Sequence, residues 1–182
     1  MIQWTDPRSS RPICRGPIEA EVEHPLKSRS VTRMAHHLVI LRDVYFDPLL
    51  RGRKTIECRL SAIRRPPFEA VEPGDLLWFK SPSGPIRAVG WAGPCEFQAL
   101  HSADDLGALL APHLSAIHAQ PGFFTGAERW ARYLSLIRVD GVMAVSPYSV
   151  RKRDQRAWVT LRTPPIPSAD IRTFDRRVTA RT

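Results

Sequence analysis

The sequence predicts an α+β domain: a mixed, curled sheet of about five to six strands closing toward a barrel, with two to three flanking helices. Short apolar or alternating runs recur between Leu38 and Leu161, separated by turns rich in Pro and Gly. The longest run is interrupted by Gly90, Gly93 and Pro94, residues that mark the bulges with which sheets bend. Apolar residues make up 43% and charged residues 25% of the 182, ordinary globular usage with room for one domain plus terminal extensions.

Residues 1–33 carry Pro7, Pro12, Pro17 and Pro25 among scattered charges with no apolar periodicity, and are expected to be a disordered arm. Leu38 to Leu41 suits a buried strand. Asp47-Pro48 then starts a brief helix that Gly52 stops. The run from Thr55 to Leu60 alternates with period two, which sets Ile56, Cys58 and Leu60 inward and Thr55, Glu57 and Arg59 on the opposite face. Pro73-Gly74-Asp75 turns the chain into a strand at Leu76 to Lys80, and Ser81 to Pro85 turns it again into Ile86 to Phe97, a β-hairpin.

Two helices are expected next. Ala103 to Ala119 is started by Ser102 with acids following, and Gly126 to Ile137 presents Trp130, Tyr133, Leu134 and Ile137 at helical spacing, a pattern read as core. Val139 to Ser146 and Gln155 to Arg162 return to strand patterns. From Thr163 the prolines and arginines predict a loose basic tail, so the folded unit spans 34–162.

A formal net charge of +9 favours a polyanionic partner. Within 34–162 there are 17 basic and 12 acidic residues; 51–65 contributes +5 and 151–156 contributes +3, leaving the rest at −3. These segments form one basic wall only if the fold brings them together. Cys14, Cys58 and Cys95 are odd in number and lack CxxC spacing, which argues against a disulfide framework or zinc ribbon. With no long apolar stretch and no signal-like N-terminus, a cytoplasmic setting is expected.

The most informative residues are Gly52-Arg53-Lys54-Thr55-Ile56-Glu57-Cys58-Arg59, the pattern G-x-K-x-x-E-x-R. Gly52 permits the left-handed turn that ends the helix, and Lys54 projects from the bend, where an ammonium can meet a phosphate or a reacting carbonyl. Glu57 and Arg59 share a strand face, so Arg59 can fix the carboxylate while Glu57 accepts from a base or sugar, or the two simply satisfy one another.

This motif, with the Tyr45 to Leu50 helix before it, the strand bearing Trp78 and Phe79 and the closing strand Arg156 to Leu161, resembles the ASCH family over about residues 36–162. The resemblance implies a PUA-like β-barrel with a cleft beside the motif strand, and an association with RNA binding and RNA-related enzymology. One branch is an amidohydrolase acting on N4-acetylcytidine; this chain keeps the lysine as Lys54 but has Glu57 in place of that branch's threonine, and Gly90 or a near neighbour in place of its glutamate.

The leading expectation is therefore a domain that binds RNA or a modified nucleotide through Arg53, Lys54, Glu57, Arg59 and Arg156, with Tyr148 stacking on a base and Arg153 on phosphate from a second loop. An alternative is a metal-independent RNA-acting hydrolase using Lys54 or Glu57 as base, Arg59 or Arg153 as phosphate clamp and Tyr45 or Tyr148 as proton donor. A third is a protein-interaction module built on the Trp130 and Tyr133 segment. The six histidines make no HxxxH or HExxH cluster, and no phosphate-binding glycine loop is present, so neither metal nor cofactor is expected.

Overall fold

The computed structural model describes residues 34–150 and 156–166. The expected arm, the basic residues 151–155 and most of the expected tail lie outside them. Six strands, β1 (His36–Ile40), β2 (Ile56–Ser61), β3 (Leu76–Lys80), β4 (Ile86–Ala99), β5 (Tyr133–Tyr148) and β6 (Trp158–Leu161), form one sheet in the order β2-β5-β4-β3-β1-β6. The β1–β3 pair is parallel and the others antiparallel, so the sheet is mixed as predicted.

The long central pair bends the sheet. The register between β4 and β5 shifts across Val89/Trp91 and Ala92/Cys95, the two places where Gly90 and Gly93-Pro94 sit. At Gly93 a Cβ would meet the Asp140 carboxylate of β5, so a larger residue would displace that side chain. The curl brings the two edge strands toward one another. Arg59 of β2 donates to the Ile40 carbonyl of β1 at 2.8 Å, and its guanidinium lies 5.7 Å from the Trp158 ring of β6. The result is a half-barrel closed at this seam by a side chain, not by a ladder.

Among the described residues three helices flank the sheet: α1 (Phe46–Leu50), α2 (Ala103–Leu110) and α3 (Leu114–Ile117). Helix α1 begins beside Asp47-Pro48 and ends at Gly52, whose φ of +68° is left-handed as expected. Helix α2 starts in a capping box, with Asp105 N–H donating to the Ser102 side chain and the Asp105 carboxylate accepting from the Ser102 N–H.

Two helix expectations are corrected. The stretch 103–119 is not continuous: a 3-10 turn at Ala111–His113, carrying Pro112, separates α2 from α3. The stretch 126–137 is not a helix at all. A 3-10 turn at Ala127–Arg129 is followed by β5, which starts at Tyr133. Strand β5 lies between β2 and β4, and its residues from Leu134 to Ile137 are buried in succession. A strand buried on both faces loses its period-two alternation, and its apolar run then mimics helical spacing.

The core has three parts. Val39, Phe46, Leu49, Phe79, Ile137 and Trp158 pack inside the curl beneath α1. Leu106 and Leu110 of α2 and Ile117 of α3 meet Cys58, Leu134 and Leu136 on the face of β2 and β5. Ile166, within the segment expected to hang loose, is buried with Leu38, Trp78 and Val89. Among the described residues no helix is long and apolar enough to cross a membrane.

Candidate functional site

Strand β2 points Cys58 into the helix-covered core and Glu57 and Arg59 to the other face, the division expected from the alternation. Glu57 is 3% exposed. Its Oε1 accepts from Arg59 Nη2 at 2.7 Å and its Oε2 pairs with Lys54 Nζ at 3.1 Å. Burial alone would raise this carboxyl, but the charges of Lys54 and Arg59 and their hydrogen bonds outweigh it and hold Glu57 below the usual carboxylate range. The carboxylate is ionised at neutral pH.

Lys54 is delivered by the turn after α1, where Arg53 and Lys54 N–H groups donate to the Pro48 carbonyl and Thr55 N–H to the Ala116 carbonyl. Its ammonium donates to the carbonyls of Ile56 at 2.8 Å and of Ile117 at 3.0 Å, and meets Glu57 as its third partner. Two of its protons are committed to those carbonyls, and the contact with Glu57 is one of charge, since Glu57 Oε2 accepts no hydrogen bond among the described residues. The Ile117 carbonyl is free to accept because His118, at φ +56°, ends α3 there. Lys54 is thus buried, with its charge turned toward Glu57.

Above this triad opens a cavity of about 240 Å³. Its floor is Lys54, Glu57 and Arg59, its walls include Tyr45 and Ile117, and Arg42, Phe123 and Trp130 also line it. The volume exceeds the ~150 Å³ that admits a benzene ring, so a planar ring with substituents fits. Phe123 and Trp130 are 43% and 49% exposed, so the assignment of Trp130 to the core is corrected: it offers an indole beside the opening. Tyr45 packs edge-on to Phe123 with centroids 6.0 Å apart, and Lys54 Nζ lies 5.4 Å from the Tyr45 ring centre. The Tyr45 hydroxyl is buried without a hydrogen-bond partner among the described residues, as is Arg59 Nε. Burial pushes the neighbouring Cys58 thiol up to about 12, with the Glu57 charge adding to it, so Cys58 is no nucleophile.

A second crevice of about 90 Å³ shares Arg59 as a wall and is also lined by Arg65 and Arg156. Arg59 and Arg65 of the first basic segment therefore meet Arg156, the one described residue of the second. Of the candidates, Tyr45, Lys54, Glu57 and Arg59 line the main cavity and Arg156 the crevice beside it. Arg53 is exposed and paired with Asp47 at 2.6 Å, away from the cavity lining. Tyr148 is exposed at the end of β5, opposite Ile86, and lines neither hollow. Arg153 lies outside the described residues. Sequence reasoning passed over Phe123, Arg65 and the Ile117 carbonyl; the usable signal was Phe123-Phe124 inside a turn-rich stretch from Pro121 to Gly126, since bulky apolar residues on a loop have an uncommon reason to be there. Among the described residues no group of three or more His, Cys, Asp or Glu is placed to hold a metal ion.

No protein-family model matches the chain, and no curated protein does. Among solved structures it is similar to the ASCH protein of Zymomonas mobilis, at 13% identity over 78% of this chain and 94% of that one, with a TM-score of 0.48. A point mutant of the same protein gives 12% identity, the same coverage and a TM-score of 0.49.

Proposed function

We propose that this chain is an ASCH-type domain that binds RNA or a modified nucleotide by receiving a base in the cavity over Glu57. One observation carries the reading: an ionised carboxylate, buried and held by two cations, forms the floor of an opening edged by exposed aromatic rings. A carboxylate offers about four lone-pair positions; Arg59 takes one on Oε1, and Oε2 faces the Lys54 ammonium without accepting a hydrogen bond among the described residues. The remainder suits the N–H edge of a base whose face stacks on Trp130 or Phe123, the way unstacked single-stranded bases are held. The G-x-K-x-x-E-x-R motif supports it, because its three charged residues form this floor.

The same geometry favours holding over hydrolysis. A carboxylate kept ionised by two cations is a weak proton acceptor, and Lys54 is buried with its ammonium turned to two carbonyls and to Glu57. An indole edging this cavity has a use in the base-binding reading without invoking a protein partner. The test is titration of a single-stranded RNA hexamer and its DNA equivalent into wild type and Glu57→Gln at several salt concentrations, with the mixtures run on a gel. Salt-dependent RNA binding by wild type, weakened in the folded variant and with RNA intact, is the expected result. Absence of RNA binding at low salt overturns the reading, and cleavage by wild type alone replaces it with the hydrolase.

A further inference from the structure

The geometry points to a phosphate subsite in the crevice beside the cavity, so that the occupant is a phosphorylated nucleotide or a polynucleotide and not a free nucleoside. This rests on the base-binding reading of the cavity over Glu57. The crevice is lined by Arg59, Arg65 and Arg156, and no carboxylate is among its lining residues within the described chain. The remaining polar lining comes from hydrogen-bonding side chains, Ser61, Ser135 and Tyr133. That is the inventory that holds a phosphate: guanidinium forks supported by hydroxyls.

Neighbouring charges sharpen the assignment. Arg64 is occupied by Glu69 and stacked 5.8 Å from the Phe68 ring, whereas Arg65 pairs with no carboxylate among the described residues. Arg59 has its Nη2 committed to Glu57 and Ile40, while its Nε is buried with no partner among the described residues. The crevice volume of about 90 Å³ is that of about three waters, on the scale of one phosphate group. Because Arg59 lines both hollows, a base seated on Glu57 and a phosphate in the crevice lie on either side of one guanidinium. Three arginines drawn from β2, the loop after it and the segment entering β6 converge there, which no single run of sequence displays.

The phosphate can be a monoester on a free nucleotide or the diester of a strand, and the experiment separates them. Affinities are measured by calorimetry for the four common ribonucleosides, their 3′- and 5′-monophosphates and an RNA hexamer, with wild type, Glu57→Gln and the double variant Arg65→Ala/Arg156→Ala. In wild type a phosphorylated ligand binds about 10- to 100-fold more tightly than its nucleoside. In the double variant that ratio falls toward one. A monophosphate that gains as much as the hexamer identifies a free nucleotide; gain by the hexamer alone identifies a strand. Equal affinity for nucleoside and phosphorylated ligand in wild type, or an unchanged ratio in the double variant, overturns the subsite. A ratio that collapses in the double variant while Glu57→Gln leaves every affinity unaltered upholds the subsite and removes the base reading instead.

Discussion

The residue that most changes meaning between sequence and structure is Lys54. A lysine projecting from a bend reads as a ligand for phosphate, yet it is 4% exposed, donates to the Ile56 and Ile117 carbonyls and lies in charge contact with Glu57. Nothing in residue order announces the Ile117 carbonyl, because α3 reaches this site only through tertiary packing. Removing one member of a buried ion pair leaves the other charge uncompensated, so Lys54→Met costs about 3–5 kcal/mol in urea unfolding. Adding Glu57→Gln to it restores part of the loss, a coupling of about 1–3 kcal/mol in a double-mutant cycle. Acid reports on the same contact. The folded-state carboxyl sits below its usual 4.5, so between the two values the unfolded chain binds the proton first. Glu57 stabilises fully above pH 4.5, and its contribution disappears as pH falls through the folded value; unfolding midpoints against pH steepen there in wild type and flatten in Glu57→Gln.

At the scale of elements, β2, β3, the hairpin and the short helix before Gly52 were legible because each has local punctuation and a half-buried face. The first part of strand β5, Tyr133 to Ile137, was not, because burial on both faces erases the alternation that identifies a strand, whereas its continuation from Val139 to Ser146 was read as a strand. The attachment of β6 carries its own chemistry. Trp158 Nε1 donates to His37 Nδ1 at 3.2 Å, which leaves His37 Nε2–H to donate to Asp75 Oδ2 at 3.0 Å. A second ring proton would face the indole N–H. Burial lowers the His37 pKa from 6.5, against the opposing pull of Asp75. The unfolded chain therefore takes up the proton first, and the stabilisation present above pH 6.5 is lost as pH falls toward the folded value. Wild type is expected to lose unfolding free energy between pH 7 and pH 5, and His37→Gln to lose less over the same interval; equal slopes would remove His37 from the account.

For the whole molecule, the curl does what no linear motif states: it sets Arg59 and Arg65 beside Arg156 and places an exposed indole by a buried carboxylate. The charge segregation was visible in the sequence, but the seam where β2 meets the far edge of the sheet was not, since it is made by the side chain of Arg59 and not by a strand pair. The central claim is that a base sits against Trp130 above Glu57. The most direct test is the affinity of Trp130→Ala for an RNA hexamer at low salt, with the unfolding midpoint as the control for folding. A half-exposed side chain at the cavity mouth is expected to cost little folding stability, while loss of one stacked base costs about 1–3 kcal/mol of binding. An unchanged midpoint with weakened RNA binding is the predicted result, and full affinity in the folded variant contradicts the claim.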